Sequence, residues 1–367
     1  MRVITLITLC LTLAIPVAHA QIQPQTIQPS ETMGELGENW FMSVGDNAGY
    51  VYDATTGEMH GLISLSRRTP AVQPSLARKE FYAAESFYSR GSYGDRTDVL
   101  TIHDFENLSP IAEVEVPKKI TMLNFRAYIG LMSDGNHVGV SNLTPAQSVS
   151  IVDVANRSFV GEISTPGCSL IMPVANNDFL TICGDGTLML VGLDGDGNET
   201  NRVRSDKFFE LEEDPIYDRP VETAAGWLIF THAGKAYNVT TSGTQITVSS
   251  AFDIVSEEDA EEGWWPGGGQ LATVHKDLGL FYVIMHQGER YSHHEPGNEI
   301  WVFGLESGRR IARVEFEVNV GAAMVTQEAA PLLIVGDEEG ETHVYDALTF
   351  THERMIEGPP GSLFEDL

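Results

Sequence analysis

Tyr50-Val-Tyr-Asp53-Ala-Thr-Thr-Gly57 joins a short apolar strand to an Asp-centred turn and the start of a second strand. The unit returns as Val99-Leu-Thr-Ile-His-Asp104-Phe-Glu-Asn-Leu108, then as Val149-Ser-Ile-Val-Asp153-Val-Ala-Asn156. It appears again as Leu188-Met-Leu-Val-Gly-Leu-Asp194-Gly-Asp-Gly197 and as Thr342-His-Val-Tyr-Asp346-Ala-Leu-Thr349. Weaker copies are Ala236-Tyr-Asn-Val-Thr-Thr-Ser-Gly243 and Ile300-Trp-Val-Phe-Gly-Leu-Glu-Ser-Gly308. Asp53 and Asp346 lie 293 residues apart, so the seven copies recur at a mean step of about 49. A period of that length built only from strands predicts an all-β fold, a seven-bladed β-propeller.

Composition agrees with a large β-rich domain. The 367 residues are 42% hydrophobic, which allows a packed core, and the 35 glycines suit many tight turns. The first twenty residues read as an export signal: Arg2, then an apolar run from Val3 to Pro16, then the small-x-small site Ala18-His19-Ala20. The run is too short to span a membrane. The expected division is therefore a signal peptide over 1–20, an extended Gln/Pro-rich arm over 21–37 and the propeller over 38–367. The charge, 52 acidic against 22 basic residues, leaves no positive footprint for nucleic acid. It favours solubility, or a field that attracts cations and basic surfaces.

Losing the signal removes Cys10 and leaves Cys168 and Cys183. An even pair in an exported chain usually forms a disulfide, and the strand–turn–strand reading between these two would bring them together. Two free buried thiols are the rival reading.

No local catalytic motif emerges. The chain lacks a Gly-x-Ser-x-Gly elbow, a P-loop and a His-Glu-x-x-His pair. Gly267-Gly268-Gly269 precedes a strand rather than a helix, so it reads as a loop. Asp194, Asp196 and Asn198 resemble the start of a calcium loop, but Glu199 and Ser205 stand where Gly and a bidentate Glu belong, so a polar turn is expected. His286, His293, His294 and Glu295 are the best metal-ligand candidates, yet adjacent histidines point apart, and no metal is expected. Trp264 and Trp265 read either as interface anchors or as rim packing. They lie within one candidate insertion, Glu257 to Glu262 followed by Gly263 to Gly269; Gln287 to Gly297 is a second.

Three segments carry a family resemblance. They are Pro166-Gly-Cys168 through Leu180-Thr-Ile-Cys183-Gly-Asp-Gly186; Gly263-Trp-Trp-Pro-Gly-Gly-Gly-Gln270 with the strand and histidine loop that follow; and Phe81-Tyr-Ala-Ala-Glu-Ser-Phe-Tyr-Ser-Arg90 followed by Gly94-Asp-Arg-Thr-Asp98. Together they resemble the heavy subunit of the amine dehydrogenases that use tryptophan tryptophylquinone, such as methylamine and aromatic amine dehydrogenases. The resemblance implies a periplasmic assembly of two heavy and two light subunits. It places the quinone on the light subunit, with no catalytic residue and no cofactor on this chain. It further implies oxidation of primary amines to aldehyde and ammonia, with electrons passing to a blue copper protein of the amicyanin or azurin type. The heavy chain then supports the light chain and helps close the substrate channel. The family carries an aromatic residue at that channel; here the matching stretch, Asp46-Asn-Ala-Gly-Tyr50, is shorter and Tyr50 is the nearest aromatic. The alternatives are a stand-alone periplasmic propeller that binds a ligand or scaffolds a partner, and a metal-dependent propeller hydrolase such as a lactonase.

Overall fold

The computed structural model describes residues 32–67, 71–117, 123, 125–359 and 361–367. The expected signal lies outside these residues, as does the arm up to residue 31. The last residues of the arm, 32–37, lie against the fold: Met33 is buried and its N–H donates to Glu106 O at 2.9 Å.

The architecture is an all-β propeller. Five discrete blades form separate sheets. Blade 1 contains Trp40–Val44, Ala48–Asp53 and Met59–Ser64, completed on its inner side by Leu363–Asp366. Blade 2 runs through Val72–Ser75, Glu80–Arg90, Tyr93–Asp104 and Pro110–Val116. Blade 3 runs through Ile129–Leu131, His137–Asn142, Ser148–Asp153 and Ser158–Ser164. Blade 4 has Cys168–Pro173, Phe179–Cys183, Leu188–Leu193 and Glu199–Arg204. Blade 5 has Val221–Thr223, Gly226–Phe230, Lys235–Ser242 and Gln245–Val248, with Phe252–Asp253 beside its third strand.

The rest of the chain corrects the expectation of seven separate blades. Strands between Trp264 and Ile356 form one continuous eight-stranded sheet, which holds both of the last two sequence copies. The cause is Arg310–Val325, a strand of 16 residues. Its first part pairs with Gly297–Gly304 and its last part with Leu332–Asp337, so backbone hydrogen bonding never breaks between them.

The repeat is explained residue by residue. In every copy the motif is the hairpin between the third and fourth strands of a unit. The turn aspartate accepts hydrogen bonds from backbone amides just ahead of it, which stands in for strand pairing where the chain reverses. Asp53 Oδ1 accepts from Thr55 N at 2.6 Å, Asp104 Oδ1 from Glu106 N at 2.8 Å and Asp153 Oδ1 from Asn156 N at 2.8 Å. Asp346 Oδ1 accepts from Thr349 N at 2.7 Å. Asp194 does the same with Asp196 N and Asn198 N, so the calcium-like stretch is a polar turn. Four residues after the aspartate the backbone turns left-handed, at Gly57 (φ 81°) but also at Leu108 (φ 52°), Arg157 (φ 55°) and Phe350 (φ 60°). The last three carry strain that Gly57 avoids.

Strands flanked by blades on both faces are buried along their length, as in Phe179–Cys183, where even Thr181 is buried. Outer strands alternate: in Met59–Ser64, only Ile63 is fully buried. The chain has one five-residue helix, Glu257–Glu261 among the described residues, closed by a capping box between Ser256 and Asp259. Asp259 then accepts from Arg310 Nη1 at 2.8 Å, which docks the insertion onto the eight-stranded sheet.

Cys168 and Cys183 sit opposite each other in register and form a disulfide. The bond closes a loop with a sequence separation of 15. In the chain-entropy model that constrains the unfolded chain by about 3 kcal/mol. The Cys168→Ser/Cys183→Ser double variant should therefore melt several degrees lower than the wild type in oxidising buffer, and the two should melt alike under strong reductant. Equal melting of both in oxidising buffer would mean that the bond contributes nothing.

Candidate functional site

In an up-and-down sheet, alternate turns lie at opposite ends. The aspartate turns occupy one end of the propeller. The turns between second and third strands occupy the other, and this end gathers most of the chemically distinctive residues.

A mouth of about 580 Å³ opens there, lined by Gly45, Asp46, Asn47, Tyr50, the 336–340 turn and Pro359, Gly361 and Ser362 ahead of the closing strand. Tyr50 is half-buried in its wall, held by pairing with Ser43 and Leu62 on either side. Asp46, Asp337, Glu338 and Glu339 make the rim acidic.

Gly269 and Ala322 mark where the mouth meets the inner strands. Gly269 also lines a deeper chamber of about 280 Å³ on the propeller axis. Gly268, the residue before it, sits at a position that needs glycine. It has φ 93°, and a Cβ there would stand 2.7 Å from Gly321 O.

The chamber walls come from Leu271 to Val274, Val221 and Glu222, Leu363–Asp366, Met324 and Val325, and residues 125–127. Arg126 Nε donates to Glu365 Oε2 at 2.5 Å, across 239 residues of sequence. Lys276 Nζ donates to Glu222 Oε2 at 2.8 Å. Glu365 Oε1 and Asp366 Oδ1 are buried with no hydrogen-bond partner among the described residues. Burial raises the Glu365 carboxyl, against the pull of Arg126. Burial, and then the nearby Glu328 carboxylate, push Asp366 up to about 7. The chamber thus sets two raised carboxyls in a largely apolar lining, and no nucleophile–base pair lies among the described residues that face it. None of Arg126, Glu365 or Asp366 is identifiable from a local motif; only the fold brings them together.

The sequence candidates fall as follows. Trp264 is buried in a core cluster, 5.6 Å from the Trp301 ring, with Arg313 over both at 4.8 Å. Its surface is spent on packing. Trp265 is half-buried and faces His286 across the pairing of Trp264–Pro266 with Leu280–Gln287. His286, His293, His294 and Glu295 do not converge as a ligand set. His286 Nε2 lies 2.8 Å from Ser292 Oγ, and His293 packs edge-on against His232 at 4.6 Å. The cluster is aromatic packing: His232 also stacks on Tyr217 at 4.0 Å, and burial lowers its imidazole to about 4.

The same end exposes large aromatics. Glu80–Arg90 and Tyr93–Asp104 form a hairpin whose tip projects from the core, with Phe87 and Tyr93 exposed and Arg90 over the Tyr93 ring at 4.7 Å. Tyr291 is exposed on the second insertion. No helix among the described residues is long and apolar enough to cross a membrane.

The model of the family described as methylamine dehydrogenase heavy chain matches residues 38–358. The methylamine dehydrogenase heavy chain of Methylophilus methylotrophus is 27% identical over 305 residues, covering 82% of this chain and 74% of that one. That of Paracoccus versutus is 26% identical over 317 residues, covering 84% and 72%. Among solved structures, a dihydro-heme d1 dehydrogenase aligns with a TM-score of 0.56 at 17% identity, over 94% of this chain and 79% of that one. The β-propeller domain of Cps50 (Swd1) from Myceliophteria thermophila aligns at 0.57 and 11% identity, over 86% and 96%. At these identities the structural likeness establishes the fold alone.

Asp366 supplies a test of the chamber. A carboxyl raised in the fold favours the folded state below its unfolded value near 4, and that advantage is lost as pH rises through about 7. The Asp366→Asn variant should remove this loss. Its melting temperature relative to wild type should rise between pH 4 and pH 8. A difference that stays flat across that window would show that Asp366 titrates normally.

Proposed function

The chain belongs to the methylamine dehydrogenase heavy-chain family, and we propose that it is the propeller subunit of a periplasmic amine dehydrogenase whose quinone resides on a separate light subunit. The observation that carries this reading is the family match across residues 38–358, which takes in almost the whole propeller. In this reading the light subunit would hold the tryptophylquinone, which would supply the two-electron oxidation by which a primary amine and water give aldehyde and ammonia. Electrons then leave to a blue copper protein. The proposed assembly is two heavy and two light subunits.

This chain's own residues then bind, orient and exclude water. The end carrying the mouth is the docking face, supported by its exposed Phe87, Tyr93 and Tyr291, since aromatic residues are favoured interface anchors. Trp265 contributes its half-exposed edge. A light subunit seated there would roof the mouth and shut bulk water away from a reactive cofactor. Primary amines are cations at neutral pH, like the lysine side chain, so Asp46, Asp337, Glu338 and Glu339 raise their local concentration at the rim. Tyr50, on the wall, limits the bulk of the group that follows the nitrogen.

Two experiments test the reading. The purified chain alone should show no amine-dependent reduction of an artificial electron acceptor, and co-expression with its light subunit should restore it. Turnover by the light-chain-free protein would overturn the proposal. In the assembled enzyme, Tyr50→Ala should shift kcat/KM toward bulky aromatic amines over methylamine by roughly tenfold, the scale expected for reshaping an apolar pocket. An unchanged ratio would remove Tyr50 from the channel.

A further inference from the structure

We propose a zinc-class metal site on the turn between Leu332–Asp337 and Thr342–Asp346, held by Asp337, Glu341 and His343. Strand geometry builds it. Glu341 immediately precedes the strand and His343 is its second residue, and the two side chains meet on one side, with Glu341 Oε2 3.9 Å from His343 Nε2. Asp337 joins them across the turn, where its N–H donates to Glu341 O at 3.0 Å.

The carboxylate of Asp337 is divided between two tasks. Oδ1 accepts from the N–H groups of Glu339 and Glu341 at 3.0 and 2.7 Å, which fixes its direction. Oδ2 is left facing His343 Nε2 at 3.3 Å, and Glu341 Oε2 lies 3.9 Å from the same nitrogen. All three ligand atoms fall within 4.8 Å of one another. Ligands at zinc distances of about 2.0–2.1 Å in a tetrahedron stand about 3.3 Å apart, so small side-chain movements would close this set around one ion. Two carboxylates and an imidazole suit zinc, and water would complete a fourth position.

The surroundings support the assignment. His343 is 8% exposed, and its Nδ1 lies 3.3 Å from His352 Nε2. A neutral imidazole has one N–H. If His343 gives it to His352, its Nε2 lone pair faces both carboxylates, an arrangement that a cation relieves. A hydrogen-bonded second nitrogen is also what orients a ligating histidine. His352 in turn packs edge-on against Tyr345 at 4.9 Å. Because Asp337 also lines the mouth beside Tyr50, a bound ion would brace that wall.

The test uses the full chain after chelator dialysis. Co²⁺ should give the visible absorption of a tetrahedral site, and Zn²⁺ calorimetry should show one saturable site. His343→Gln and Asp337→Asn should each weaken Zn²⁺ by more than roughly a hundredfold, and His352→Gln by roughly ten- to a hundredfold. Asp337→Asn keeps the Oδ1 acceptor and so preserves the turn. His293→Gln/His294→Gln, which alters the other histidine cluster, should bind as wild type does. A wild type without the cobalt band, or Asp337→Asn and His343→Gln variants that bind as tightly as wild type, would reduce the cluster to a His–carboxylate ion pair and overturn the proposal.

Discussion

Everything in the propeller depends on four residues near the C-terminus pairing with five near the start of the fold. Leu363–Asp366 runs antiparallel to Trp40–Val44 and so supplies the inner strand of blade 1 from the far end of the chain. Without it, the first blade would present an unpaired inner edge to the axis. The seam is reinforced on both sides. Ser362 N donates to Val44 O and Leu367 N to Trp40 O, at 2.9 and 3.1 Å. The Gln270 amide grips Phe364 at both its N–H and its carbonyl. Phe364 then meets Phe41 edge-on at 5.8 Å. The same strand places Glu365 and Asp366 in the axial chamber, so ring closure and chamber chemistry are one constraint. Burying two consecutive carboxylates is costly; Arg126 offsets part of that cost, by a direct ion pair with Glu365 and by its charge near Asp366.

The aspartate turns show how much of this was legible. Each motif could be read because its physics is local: a carboxylate caps amides within four residues of itself. That made strand, turn and repeat visible together. The blade count was not legible in the same way. Whether two repeats are separate sheets or one depends on whether a single strand, here Arg310–Val325, keeps pairing on both sides, and no local signal reports that. The disulfide was readable because its cysteines bracket a hairpin. The chamber was not, since Arg126 and Glu365 are ordinary charged residues until the ring closes. Tyr50 became visible only through family resemblance. The ligand set around His343 was hidden by more conspicuous histidines at 286, 293 and 294, which the fold uses for packing.

The acidity of the chain also divides by location. At the aspartate-turn end, part of the negative charge is structural. Burial works against ionising Asp104 and Asp153, but the turn amides and asparagine side chains outweigh it; for Asp194 and Asp346 the amides are the leading influence. All four carboxyls are held below the usual range, so their contribution is present above about pH 4 and is lost as acid protonates them. These charges hold hairpins in shape.

At the opposite end the acidic residues play another part. Glu338 and Glu339 line the mouth, with Asp337 beside them, its carboxylate turned to the turn amides and His343. Charge that is not consumed by the fold is available to a cation. A propeller built from near-identical hairpins would have two equivalent ends. This one is polarised because five of its third-to-fourth strand turns are closed by their own aspartate, while its second-to-third strand turns vary in length and leave aromatic, histidine and carboxylate groups facing outward. The fold is therefore maintained at one rim, and specificity can change at the other without disturbing the repeat.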